Sequence, residues 1–217
     1  MKTVIITAGG IGSRMESELP KQFLLLKKKP ILMLTLERFH SYDSKIQIIL
    51  TLPSTWVSYW NDLLAHYQFK IPHQIVEGGK ERFHSIKNAL EIVKGEIVGV
   101  HDGVRPLVSL ETIAACFDSA EKFGAAIPFL PINESMRQLT AEGSNAVMRN
   151  EFVCVQTPQC FKKDLLIDAY QQDFHNQFTD DASVVESKGI EIKLVPGNLE
   201  NIKITTQNDL KIAELFI

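Results

Sequence analysis

Short apolar runs alternate with amphipathic ones along most of the chain, and this rhythm limits the available folds more than any other feature. Residues 3–8 read as a buried strand that ends in Gly9, Gly10 and Gly12. Pro30 then opens a helix with Leu32, Leu36 and Phe39 on its apolar face, and residues 46–52 form the next strand. Ser54 is placed to cap a helix running to Tyr67. Residues 73–76 give a short strand, 83–93 a helix, and 97–101 a clear buried strand broken by Asp102-Gly103. Ser109 caps a helix that Gly124 ends, and 125–130 returns to strand. Residues 131–150 include Met136, Leu139, Val147 and Met148, too apolar for a linker, so they predict an ordered hairpin or arm suited to a dimer contact. Strands at 152–156 and 190–195 flank helices at 165–171 and 179–187, and a last strand at 202–205 leads into a helix. Such alternation predicts an α/β sandwich with a mostly parallel sheet.

The chain has 217 residues, 45% of them hydrophobic, enough for one domain with a complete core. With 23 basic and 26 acidic residues, the net charge of −3 argues against a generally basic nucleic-acid-binding protein. Positive charge is local: residues 1–30 hold six Lys/Arg against two Asp/Glu, and the remainder holds 17 against 24. Cys116, Cys154 and Cys160 form no C-x-x-C pair, which disfavours a disulfide scaffold or a cysteine-rich zinc site and suits a reducing, cytoplasmic compartment. No apolar run reaches the roughly 18–20 residues of a membrane span, and no convincing signal-cleavage site follows the first strand.

The run Ala8-Gly9-Gly10-Ile11-Gly12-Ser13-Arg14 puts small residues just beyond the first strand. There, backbone N–H groups can surround phosphate oxygens and Arg14 can add a charged donor; a sharp structural turn is the plainer reading. The spacing is not that of a Walker loop. The second strand ends in Leu50-Thr51-Leu52-Pro53 without the acidic residue that would bind a ribose in a dinucleotide fold. Lys21 could neutralise a substrate phosphate, whereas Lys27-Lys28-Lys29 reads as a solvated turn. Asp102, just after the clearest strand, stands where α/β sheets present ligand-facing residues, and its carboxylate could hold a hard divalent cation or simply cap a turn.

Several separated motifs resemble the 2-C-methyl-D-erythritol 4-phosphate cytidylyltransferase family. These are the glycine run through Met15, Leu19-Pro20-Lys21-Gln22-Phe23, Glu77-Gly78-Gly79-Lys80-Glu81-Arg82 with Ser85, and His101-Asp102-Gly103-Val104-Arg105-Pro106. They continue in order through Gln156-Thr157-Pro158-Gln159, Thr179-Asp180-Asp181-Ala182-Ser183 and Asn201-Ile202-Lys203-Ile204-Thr205, so the likeness spans essentially the whole chain. The resemblance implies a three-layer α/β/α sandwich with a Rossmann-like sheet and a projecting β-arm, of nucleotide-diphospho-sugar transferase type. It also implies transfer of CMP from CTP to 2-C-methyl-D-erythritol 4-phosphate, with pyrophosphate released.

Carried over residue by residue, the resemblance puts the triphosphate on Ala8, Gly9, Gly10 and Gly12, with Arg14, Lys21 and Lys203 neutralising charge at the reacting phosphorus. It assigns Gly78, Gly79, Arg82 and Ser85 to the cytidine and ribose, and Asp102 to Mg²⁺, with another divalent cation possible. Arg105, Ser135, Arg149 and Thr157 fall to the sugar phosphate, Arg149 from a neighbouring subunit, which implies a homodimer with shared active sites. Ser135 departs from the family's threonine, keeping the hydroxyl but losing a methyl group. Between Ile202 and Ile204, a strand would aim Lys203 away from its apolar neighbours. His101 reads as orienting the neighbouring turn, since a phosphate nucleophile is already anionic near neutral pH. A ribitol 5-phosphate cytidylyltransferase is the first alternative, and an inactive nucleotide-binding protein the second.

Overall fold

A computed structural model describes residues 1–10 and 19–217. Its central strand, β1 (Lys2–Thr7), buries Val4, Ile5 and Ile6 completely because both of its faces are covered. The strands β4 (Gln47–Leu52), β5 (Gln74–Glu77) and β6 (Ile97–Asp102) run parallel to it in the order β6-β1-β4-β5. Beyond β6 comes β11 (Gln159–Lys162), antiparallel to β6 and to β7 (Ala125–Pro131), and β12 (Lys193–Pro196) pairs parallel with the far edge of β7. A short β10 (Val153–Val155) continues along β7 past β11. The mostly parallel sheet is the expected one.

Alternation of side chains sorts the sheet residues into two cores. Val4, Ile6, Ile48 and Leu50 pack beneath α1 (Ile31–Tyr42), α2 (Ser54–His66) and α4 (Leu110–Phe123). On the other face, Ile5, Ile49, Val98 and Val100 pack against α3 (Arg82–Leu90), α5 (Lys163–Ala169) and α6 (Asp181–Glu186). Gly99 permits the close approach of α4, since a Cβ there would lie 3.0 Å from the Phe117 ring.

Ser109 caps α4 by accepting the Thr112 N–H, and Gly124 ends the helix at φ 101°, as the sequence predicts. The arm is a hairpin, β8 (Met136–Thr140) against β9 (Gly143–Val147). A second small hairpin, β2 (Leu25–Leu26) with β3 (Lys29–Pro30), turns at Lys27 and Lys28, both at positive φ and exposed. Among the described residues, no helix is long and apolar enough to cross a membrane.

Two expectations need correction, and one strand was not foreseen. Ser54 begins α2 rather than capping it, since Pro53 occupies the cap position without a side-chain bond. Residues 202–205 are not a strand: both edges of β6 are taken by β1 and β11, so the segment passes beyond the sheet and makes one backbone bond there, Ile204 N–H to Val104 O, at 3.0 Å. The helix that follows, α7 (Gln207–Ala213), is present with a capping box between Thr206 and Asp209. Finally, β11 was not anticipated as a strand. It is short, follows Pro158, and owes its place to the gap between β6 and β7.

Candidate active site

The parallel strands β1, β4, β5 and β6 end at one rim of the sheet, and a cleft of about 400 Å³ opens there. Ala8, Gly9 and Gly10 form one wall, with Lys21 and Gln22 beside them. Lys21 sits on a single 3₁₀ turn, Lys21–Phe23. Two neighbours anchor that turn: Phe23 is buried in a ring cluster with Trp56, Tyr59 and Trp60, and the buried Gln22 amide donates to the Ala8 carbonyl at 2.7 Å. The chain thus ties Lys21 to the start of the glycine turn. Gly12 and Arg14 lie outside the described residues.

Gly78, Gly79, Lys80, Glu81, Arg82 and Ser85 form the opposite wall. A side chain at Gly79 would place its Cβ 2.4 Å from that of His84, so only glycine fits this backbone approach. Ser85 holds the turn from within, accepting the Gly79 N–H at 3.0 Å and donating to the Glu81 carbonyl at 3.2 Å. Arg82 forms a two-pronged pair with the fully buried Asp181, at 2.8 and 2.7 Å, and Tyr170 donates its hydroxyl to the same carboxylate at 2.6 Å. Burial works against the guanidinium charge, but Asp181 and then Asp102 hold Arg82 protonated. Burial likewise pushes the Tyr170 phenol well up, so it remains a donor.

Asp102, at the last position of β6, is the electrostatic centre. Its carboxylate lies 3.1 Å from Arg105 Nε, 3.2 Å from Lys203 Nζ and 3.9 Å from Arg82 Nε. Burial alone would raise its pKa, but Arg82, Lys203 and Arg105 outweigh that cost and hold the group well below the usual carboxylate range. It is therefore ionised throughout the neutral range. Lys203 reaches it although its segment is no strand: Ile204 is buried, and Asn201 donates from its side chain to the Thr157 carbonyl at 2.9 Å, so the chain is pinned on both sides of the lysine. The Asn201 carbonyl accepts from Arg105 Nη1 at 2.7 Å.

Thr157 is buried beside this centre, accepting the Asp102 backbone N–H at 3.1 Å. Ser135 and Arg149 are exposed near the two ends of the arm, where Arg149 donates to the Asn133 carbonyl, and neither lines the cleft. The chain therefore gathers Arg82, Arg105, Thr157 and Lys203 on Asp102, with Arg105 and Thr157 behind the residues that line the cleft's surface, and leaves the arm pair apart from both. Sequence reasoning gave no role to Gln22, Asp181, Tyr170 or Asn201. Asp181 stood within a quoted motif, but its partner Arg82 is 99 positions away, and nothing local marks the pair.

A glycine wall, convergent cations and a buried, ionised carboxylate at the C-terminal rim of a parallel sheet are the features of a phosphate-binding transferase. Comparison with known proteins narrows the class. A model of the 2-C-methyl-D-erythritol 4-phosphate cytidylyltransferase family matches residues 2–217. The 2-C-methyl-D-erythritol 4-phosphate cytidylyltransferase of Phocaeicola vulgatus is 54% identical over 99% of this chain and 98% of its own. The corresponding Francisella tularensis structure superposes with a TM-score of 0.82 at 31% identity, covering 100% of this chain and 99% of that one. The 4-diphosphocytidyl-2C-methyl-D-erythritol synthase from Anaerococcus prevotii gives 0.84 at 27% identity, covering 99% and 95%. The chain belongs to the 2-C-methyl-D-erythritol 4-phosphate cytidylyltransferase family. It transfers CMP from CTP to 2-C-methyl-D-erythritol 4-phosphate in non-mevalonate isoprenoid precursor synthesis, giving the CDP-linked alcohol and pyrophosphate.

Proposed function

We propose that the residues gathered around Asp102 carry this transfer as an in-line displacement at the α-phosphorus of CTP. A phosphate oxygen of the acceptor forms the new P–O bond while the bond to pyrophosphate breaks, so no covalent protein nucleophile is needed. The observation that carries the reading is the convergence of Lys203, Arg105 and Arg82 on Asp102 beside the glycine wall. Lys21 and Lys203 stabilise charge that develops on the phosphoryl oxygens, the wall Ala8-Gly9-Gly10 holds the triphosphate, and Gly12 and Arg14 join them by family likeness alone. Gly78, Gly79, Arg82 and Ser85 enclose the nucleoside. Arg105 and Thr157 belong to the acceptor side.

The donor set suits Mg²⁺ or a similar hard cation. No group of three potential ligand side chains occurs among the described residues, so Asp102 would supply one ligand and phosphate and water oxygens the rest, the usual arrangement for this ion. Such a cation neutralises triphosphate charge when bound. Asp102 then has two duties, holding the cation and orienting Lys203 and Arg105.

Arg149 completes the acceptor pocket from a second subunit, and Ser135, at the other side of the arm, belongs to the same substrate-recognition set. The arm and β10 expose Leu139, Met148, Phe152, Val153 and Val155, an apolar surface that supports a homodimer. If opposite subunits share a site, mixing Arg149→Ala with Lys21→Ala protein should restore roughly a quarter of wild-type activity, because half the dimers would be mixed, each with one intact site. Activity no higher than in either protein alone, or sedimentation showing only monomers under assay conditions, excludes sharing. The free thiols of Cys116, Cys154 and Cys160 support a cytoplasmic setting.

The reading is tested by incubating purified protein, Mg²⁺ and CTP with 2-C-methyl-D-erythritol 4-phosphate or ribitol 5-phosphate, then quantifying pyrophosphate and the CDP-linked product. Selective use of the former is expected. Selective conversion of ribitol 5-phosphate would overturn the acceptor assignment.

A further inference from the structure

His101 takes no part in the displacement, yet it is completely buried at the end of β6, edge-on to Phe39 with ring centroids 4.8 Å apart. Both ring nitrogens are engaged. Nε2 lies 3.0 Å from the Arg105 carbonyl, and Nδ1 lies 3.0 Å from Thr157 Oγ1. A carbonyl only accepts, so Nε2 carries a ring proton, and in the neutral ring Nδ1 is then the acceptor. The Thr157 hydroxyl must then donate to Nδ1. It also accepts the Asp102 N–H, and one lone pair remains.

We propose that His101 is a positioning residue for the acceptor substrate, bridging the Thr157 hydroxyl and the Arg105 backbone so that Thr157 presents only a hydrogen-bond acceptor and the loop bearing the Arg105 guanidinium is held in place. This rests on the reading of Arg105 and Thr157 as acceptor-side residues. It adds a chemical demand: whatever group meets Thr157 must donate, as a sugar-alcohol hydroxyl does and an ionised phosphate oxygen does not. Of the Arg105 donors, Nε is committed to Asp102 and Nη1 to the Asn201 carbonyl, so the guanidinium is held at its tip by these contacts while His101 holds the backbone of the same residue.

The amide of His101→Asn occupies the Nδ1 region, and that of His101→Gln the Nε2 region, so each variant retains one half of the bridge. Steady-state kinetics with CTP and 2-C-methyl-D-erythritol 4-phosphate should show KM for the acceptor raised about tenfold in His101→Gln and somewhat less in His101→Asn. KM for CTP and kcat should stay within about twofold in both, a split that a general structural defect would not produce. Thr157→Val should raise the acceptor KM similarly, and His101→Gln/Thr157→Val should raise it no further than Thr157→Val alone. An unchanged acceptor KM with a lowered melting temperature, an equal rise in the CTP KM, or fully additive effects in the double variant would overturn the proposal. If one substitution prevents folding, the other supplies the same comparison. Wild-type protein in the same assay separates the two levels: no turnover there sinks the reading of the acceptor, whereas normal wild-type turnover beside unshifted variants sinks the positioning role alone.

Discussion

Lys203→Ala is expected to lower kcat by about 10²–10³ while the protein remains folded and binds CTP with little change. The ammonium sits 3.2 Å from Asp102 in the lining of the cleft, and the side chain is 43% exposed, so truncation removes a charge without opening a core. Asp102 keeps Arg105 and Arg82 as counter-charges, and its carboxylate stays ionised. Rate falls because a charge aimed at developing negative oxygens is lost where water cannot fully replace it. Lys21→Ala should behave alike. Since both act on one phosphoryl group, the double variant should lose less than the product of the single effects. A stopped or quenched assay at saturating substrates measures kcat directly, and near-wild-type turnover in the double variant would defeat the paired-lysine assignment.

Asp181→Asn should cost about 2–4 kcal/mol of stability, toward the lower end of what breaking a buried pair costs because water reaches one side of Arg82. One change disturbs three contacts, two from Arg82 and one from Tyr170, at a side chain with no exposed surface. For a chain of this size the melting temperature should fall by roughly 5–15 °C, measurable by calorimetry. The companion variant Arg82→Met/Asp181→Leu should recover part of the loss, because it leaves no unpaired charge behind. A shift under about 2 °C for Asp181→Asn would mean that solvent already satisfies Arg82.

The fold was legible wherever neighbouring residues carry the signal. Four parallel strands announced themselves as short apolar runs, and α4 was bracketed by a side-chain cap at Ser109 and a left-handed Gly124. The arm was legible too, because apolar residues at 136, 139, 147 and 148 are out of place in a linker. Residues 202–205 show the limit. Their alternation reads as a strand, but pairing needs a vacant sheet edge, and β6 has none. Lys203 still faces the site, because the burial of Ile204 and the anchoring of Asn201 orient the segment as a strand would have done. The reverse case is β11, whose own sequence is weak and whose position between β6 and β7 makes it a strand.

The chain's sequence alone determined the kind of machine: an α/β sheet whose first strand leads into a glycine-rich run, with a basic N-terminal segment beside it and an aspartate at the end of its clearest strand. Those are properties of adjacent residues, set by side-chain period, backbone freedom and local charge. Only the tertiary structure decided which charges meet. Asp102 gains its low pKa from Arg82, Arg105 and Lys203, and Arg82 is held by an aspartate 99 positions away, because Coulomb attraction and hydrogen bonding depend on distance through space. The local excess of positive charge near the N-terminus reaches the cleft where Gln22 and Phe23 fix Lys21 beside the glycine turn, and Arg82 lines the same cleft.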